Sequence, residues 1–167
     1  GVGFLRRINA GERPHMPETV IVVGGGDVAM DACRVARRLP GCKHVKVIYR
    51  RGPGEIPARR DELEGALKEG IEIIYNTQPV AAQDTQQGFA LRCVQTRLGA
   101  PGKDGRRQAE NVPGSEHDLA CGLAILAVGQ KAECDELDRR GMMNVDRVRT
   151  DCDTMRTADP KVFAAGD

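Results

Sequence analysis

Residues 19–31 read TVIVVGGGDVAMD, and this stretch decides the fold. Four apolar residues, Val20–Val23, run straight into three glycines, and a helix-compatible segment follows with no proline before Pro40. That is the order of a buried parallel strand, a tight turn and a helix N-terminus. The unpaired N–H groups and positive dipole end of such a helix make a site for a phosphate. Gly24, Gly26 and Ala29 fit the dinucleotide fingerprint G-x-G-x-x-G/A. In it Gly24 permits the turn, Gly26 lets a pyrophosphate approach the backbone, and the small Ala29 lets helix and strand pack closely.

Working outward, the first strand is expected at 19–24 and the first helix at 27–39, ended by Pro40-Gly41. Residues 44–49 (HVKVIY) form a second strand one helix later, a βαβ unit that implies parallel pairing. A loop, RRGPGEIPA, leads into a helix at about 59–69, where Glu62, Leu63, Ala66 and Leu67 give an amphipathic pattern and Gly70 ends it. A third strand follows at 71–76. The rhythm then changes. Residues 89–98 alternate apolar and polar, the mark of a strand with one solvated face. GAPGKDG is a turn-rich tip, and 106–120 returns as a partner strand of poor pattern, so a hairpin or meander stands where a third helix would be. LAILAV (123–128) is again a wholly apolar buried strand, stopped by Gly129; KAECDELDRRG carries a short helix at most, and VFAAGD starts like a strand. Ahead of all this, residues 1–18 are a lead-in, a short helical piece and then a Gly- and Pro-containing stretch. The expected fold is α/β, a Rossmann-like parallel sheet with helices and an inserted antiparallel β-meander.

Bulk composition excludes several classes. The 167 residues are one domain, with 25 basic against 24 acidic side chains, so no general attraction to nucleic acid or membrane follows. No apolar run approaches membrane length and the N-terminal stretch has no signal-peptide core, which points to a soluble, cytoplasmic protein. Aromatics are 3% with no Trp, too few for stacking on single-stranded nucleic acid. None of the six cysteines is spaced C-x-x-C, so they read as buried or half-buried free thiols rather than a redox pair or zinc site. His15, His44 and His117 share no catalytic spacing and read as surface or strand-edge residues. No side chain reads as a nucleophile, a general base or a metal ligand.

The second strand ends Tyr49-Arg50-Arg51. An NAD-binding unit places Asp or Glu there, to accept bonds from the ribose 2′-hydroxyl. A carboxylate would repel a 2′-phosphate, whereas guanidinium groups bind phosphate with paired, charge-assisted bonds. The substitution points to NADPH; the plainer alternative is a pair of solvated loop arginines. Arg59 and Arg60 open the next helix against its dipole, which leaves room for a phosphate contact from Arg59.

Together, GGGDVAMDACRVARRLP, VIYRRGPGEIPA, LAILAVGQKAE and TADPKVFAAGD resemble the NADPH-binding domain of the glutamate synthase small (beta) subunit family, which includes part of dihydropyrimidine dehydrogenase and sits in the wider pyridine-nucleotide–disulfide oxidoreductases. The resemblance runs from about residue 3 to 167. It implies a domain inserted into an FAD domain: 1–18 the lead-in, 19–158 the NAD(P)H-binding domain and 159–167 the return segment. It implies that Gly24, Gly25, Gly26, Asp27 and Val28 form the pyrophosphate turn and that Arg50 and Arg51 form the 2′-phosphate site. By the same resemblance Ala127, Val128, Gly129 and Gln130 form the strand end beneath the cofactor, while Gly166 and Asp167 touch FAD. Asp31 takes the place of an acid near the nicotinamide and flavin edge, or is simply a polar residue favoured by the helix dipole. Lys161 departs from the glycine usual in that motif.

The resemblance further implies that these residues are one domain of a larger flavoprotein, whose remaining FAD domain, iron–sulfur domain and large catalytic subunit are the partners. The parent would pass hydride from NADPH to FAD and electrons onward. A non-catalytic nucleotide-binding or sensing module is the alternative; an S-adenosylmethionine-binding methyltransferase predicts an acid after the second strand, against Arg50 and Arg51.

Overall fold

Val20 and Val22 pack into one apolar layer and Ile21 and Val23 into another, which is why the strand that carries them has no polar position. The computed structural model describes residues 1–85, 88–102, 107–129, 135–144 and 147–165. They fall into two compact units, Gly1–Val128 and Gly129–Asp167. The first unit opens with α1 (Val2–Asn9), β1 (Thr19–Val23), α2 (Asp27–Arg38), β2 (His44–Ile48), α3 (Arg60–Lys68) and β3 (Glu72–Ile74). It continues with β4 (Thr77–Thr85), β5 (Gly88–Pro101), β6 (Arg107–Asn111), β7 (His117–Cys121) and β8 (Leu123–Leu126).

A parallel sheet of order β3-β2-β1-β8 is the framework, with Val22 in register with Val47 on one side and Ile125 on the other. One face is covered by the helices: Val20, Val22, Val45 and Val47 meet Ala29, Met30, Cys33 and Ala36 of α2 and Ala66 of α3. The opposite face is covered by the antiparallel strands, whose Leu91, Cys93 and Cys121 meet Ile21, Val23 and Ile48. The meander thus replaces the second helical layer of a doubly wound sheet. Each fully buried Val or Ile of β1 contributes about 1.5–3 kcal/mol of transfer free energy.

Several expected boundaries move. The strand β4 falls where no element is expected, because TQPVAAQDT lacks strand-like alternation and carries Pro79, where the pairing with β5 shifts register. The single partner strand expected at 106–120 is two strands, β6 and β7, separated by a turn at Pro113-Gly114. Strand β5 has no consistently solvated face: Leu91 and Cys93 are buried, and so are Ala90, Val94 and Thr96. It lies between β4 and β7 along its first half, with β6 pairing its second. The third parallel strand ends early, at Ile74, since Asn76 takes a left-handed conformation (φ 51°) and turns the chain into β4. The run 123–128 is not wholly buried: Leu126 is 59% and Val128 71% exposed, because β8 is the sheet's edge and its C-terminal end is left uncovered.

The second unit contains α4 (Asp135–Arg139) and a short antiparallel pair, β9 (Met143–Asn144) with β10 (Arg147–Val148). Met142 is buried, and Phe163 pairs with Arg156 in an isolated bridge, its ring 5.9 Å from the guanidinium carbon. Gln130, Gly166 and Asp167 lie outside the described residues. Among the described residues, no helix is long and apolar enough to cross a membrane.

Candidate functional site

The three glycines after β1 are there for three different reasons. Gly24 has φ +138°, and a Cβ on it would lie 2.9 Å from the carbonyl carbon of Ala127. Its N–H donates to the Ile48 carbonyl at 3.0 Å, which ties the turn to β2. Gly25 is buried, and a Cβ there would enter the Tyr49 ring, 2.5 Å from Cδ2. Gly26 is extended (φ −90°) and caps α2 without any side-chain bond; a Cβ on it would meet nothing within 4 Å. The closed side of the turn is therefore structural, and the open side lies at Gly26, where the first N–H groups of α2 have no intrahelical acceptor. Ala29, the third residue of the helix, is fully buried against the sheet, as close helix–strand packing requires. Asp27 and Val28, at the helix start, are exposed, as is Asp31 one turn later.

The two arginines that follow β2 have opposite surroundings. Arg50 is exposed, and its carbonyl accepts the Thr96 hydroxyl at 2.8 Å. Arg51 is only 8% exposed, and its Nε donates to the Arg107 carbonyl at 2.8 Å. Extended backbone turns successive side chains to opposite sides, and paired amides fix it here: Tyr49 N–H donates to Ile74 O at 2.9 Å and Asn76 N–H to Arg51 O at 3.0 Å. Arg51 thus anchors the loop to β6, while Arg50 is presented to solvent.

From Tyr49 to Arg59 the chain folds back over the glycine turn. The Tyr49 hydroxyl donates to Glu55 O at 2.6 Å, Ala58 N–H to Gly25 O at 3.0 Å, and Arg59 N–H to Asp27 Oδ1 at 2.9 Å. Arg59 caps α3 and directs its guanidinium to Asp27 (3.4 Å) and Glu62 (3.3 Å). Glu62 in turn pairs with Arg34 (2.5 Å), which pairs with Glu69 (2.9 Å), which pairs with Arg38 (2.5 Å), so an unbroken chain of charges joins α2 to α3. At the other side of the turn, Ala127 N–H donates to Val23 O at 2.7 Å. Gly129, with φ +104°, belongs to the second unit.

Sequence reasoning singled out the glycines, Arg50 and the strand end, of which Gln130 lies outside the described residues, and did not single out Tyr49, Ala58 and Thr96 as parts of this region. Their roles depend on contacts between distant segments. The one local signal was the polar Thr96 amid an otherwise apolar set of buried positions on β5.

The sequence profile of the pyridine nucleotide-disulphide oxidoreductases matches residues 2–167. The chain is 39% identical over 175 residues to the beta subunit of NADP(+)-dependent formate dehydrogenase of Moorella thermoacetica, a match covering 100% of this chain and 24% of that protein. It is 36% identical over 158 residues to the small chain of glutamate synthase [NADPH] of Escherichia coli (strain K12), covering 89% of this chain and 33% of that one. Among solved structures, Lactococcus lactis thioredoxin reductase superposes with a TM-score of 0.72 at 22% identity, over 96% of this chain and 47% of its own, a likeness of fold. The chain thus spans about a quarter to a third of the length of the two relatives it matches in sequence. Those relatives are NADPH-dependent oxidoreductases, and NADPH and FAD are the cofactors of the family. The chain belongs to the pyridine nucleotide-disulphide oxidoreductase family.

Proposed function

We propose that this chain is the NADPH-binding domain of a flavin-dependent oxidoreductase of the glutamate synthase small-chain type. NADPH there supplies a hydride to FAD, held mainly by other parts of the whole protein, and electrons pass onward to a partner domain or subunit. An iron–sulfur domain and a large catalytic subunit are the proposed partners, and the cytoplasm the proposed compartment.

The observation that carries this reading is the uncapped N-terminus of α2 over the open side of Gly26, with Arg50 exposed at the end of the adjacent strand. Unpaired N–H groups at a helix start fit a pyrophosphate, and the exposed guanidinium fits a 2′-phosphate. On this reading Gly24, Gly25, Gly26 and Val28 shape the pyrophosphate turn. Arg50 holds the 2′-phosphate, and buried Arg51 keeps the Arg50 loop in place. Asp31 takes the nicotinamide end, Ala127–Gln130 the strand end beneath the cofactor, and Gly166 and Asp167 the FAD contact, with residues 1–18 and 159–167 as the crossings to the FAD domain. The exposed Leu126 and Val128 support such a neighbour, since large apolar side chains beside a site are usual where another surface covers them. The protein's share of the reaction is orientation of the cofactors rather than acid–base chemistry.

Titrating NADPH into the chain tests this. Cofactor fluorescence is expected to rise on binding, with NADH bound more weakly. Equal affinity for the two cofactors overturns the 2′-phosphate assignment, and binding of neither overturns the whole reading.

A further inference from the structure

Asp27 is the first residue of α2, at the mouth of the pyrophosphate turn. A carboxylate there stabilises the helix through its dipole but repels an incoming diphosphate. Both of its oxygens are engaged by one residue: Oδ1 accepts the Arg59 N–H at 2.9 Å, and Oδ2 lies 3.4 Å from Arg59 Nε. Arg59 is steered from behind by Glu62, 3.3 Å from Nη2, and Glu62 is itself paired with Arg34 at 2.5 Å. Arg59 is thus shared between the two carboxylates, but Glu62 has a second cation in Arg34, whereas among the described residues Asp27 pairs with Arg59 alone.

We infer that Arg59 is the counter-ion of Asp27, a positioning residue that keeps this carboxylate from repelling the cofactor's pyrophosphate and that makes no contact with the 2′-phosphate. The inference rests on the NADPH reading above. It separates Arg59 from Arg50. A counter-ion serves every dinucleotide alike, whereas a 2′-phosphate ligand serves NADPH alone. The guanidinium is about two-thirds exposed (65%), so its effect is screened by salt.

Affinities of the full chain for NADPH and NADH, measured at low salt by calorimetry, test it with Arg59→Ala, Asp27→Asn and the double variant. Arg59→Ala is expected to weaken both cofactors equally, by about threefold to tenfold, the scale of one partly screened charge. Adding Asp27→Asn to Arg59→Ala restores wild-type affinity, because the charge that needed an opposite is gone while an amide oxygen remains to accept the backbone N–H of residue 59. At about 1 M salt, where screening acts within about 3 Å, the loss in Arg59→Ala shrinks. A loss confined to NADPH, or one that Asp27→Asn fails to restore, overturns the inference and leaves the NADPH reading standing. Absence of binding to wild type overturns both.

Discussion

The ring of Tyr49 lies against Gly25, so closely that a Cβ on the glycine would come 2.5 Å from Cδ2. The last residue before the arginine pair therefore forms the floor of the glycine turn, and the turn and the end of β2 are packed as one piece. Gly24→Ala and Gly25→Ala are each expected to unfold at markedly lower urea concentration, by about 2–4 kcal/mol, from left-handed strain at Gly24 and overpacking at Gly25. Gly26→Ala, which meets open space, costs at most about 1 kcal/mol as a weaker helix cap. Its expected effect is on NADPH affinity instead. Similar stability losses at all three positions would count against this division.

Arg50 and Arg51 are expected to separate by phenotype. Arg50→Ala leaves the urea midpoint unchanged and lowers the preference for NADPH over NADH about tenfold or more, the value of a charge-assisted bond. Arg51→Ala removes a buried stem and the bond to Arg107 O, and costs about 1–3 kcal/mol of stability. Paired denaturation and binding curves for the two variants check this; a stable Arg51→Ala with lost NADPH preference would reverse the assignment.

The parallel framework was legible in the sequence because its signals are local. Val20–Val23 needed no alternation once both faces were covered, and the glycines and Pro40-Gly41 bounded α2 without reference to anything distant. Strand β4 was not legible, since Pro79 breaks its pattern and its pairing with β5 is what makes it a strand. The opposite fates of Arg50 and Arg51 were equally hidden: adjacent, chemically identical side chains are told apart only by the Arg107 carbonyl, on a strand fifty-six residues away. The pairing of Asp27 with Arg59 was hidden in the same way, since it joins the start of α2 to the start of α3 across thirty-two residues.

Glu69 joins α3 to α2 through Arg34 and Arg38. Burial pushes its carboxyl up, but the hydrogen bonds from Arg38 and Arg34 outweigh this and hold it below the ordinary value of 4.5. A carboxyl lowered in the folded state contributes stability that is present above its unfolded pKa and is lost as pH falls through the folded one. Glu69→Gln is therefore expected to unfold at lower urea than wild type near neutral pH, with the gap closing as the pH is taken well below 4.5. A gap that stays constant into acid would show that the ion pairs contribute nothing.

Two buried thiols are expected to give the chain an alkaline limit. Burial pushes Cys33, whose Sγ–H donates to Met30 O at 3.0 Å, up to about 12 from an ordinary 9.0. Burial, with a smaller contribution from Cys121, pushes Cys93 up to about 11. For an acid whose folded pKa is raised, stability is full below the unfolded pKa and declines as pH climbs toward the folded one, because only the unfolded chain releases the proton. The window runs from about 9 to 11 for Cys93 and onward to about 12 for Cys33. Across it each thiol is expected to remove about 1.4 kcal/mol per pH unit. Replacing both with Ala lowers stability at neutral pH through the cavities left, yet flattens the decline above pH 9 relative to wild type. Urea midpoints taken at intervals across this range measure the two slopes, and parallel slopes would show that other groups set the alkaline limit. The same protonation predicts that, at neutral pH, an alkylating reagent modifies exposed Cys152 while Cys33 and Cys93 react only after denaturation.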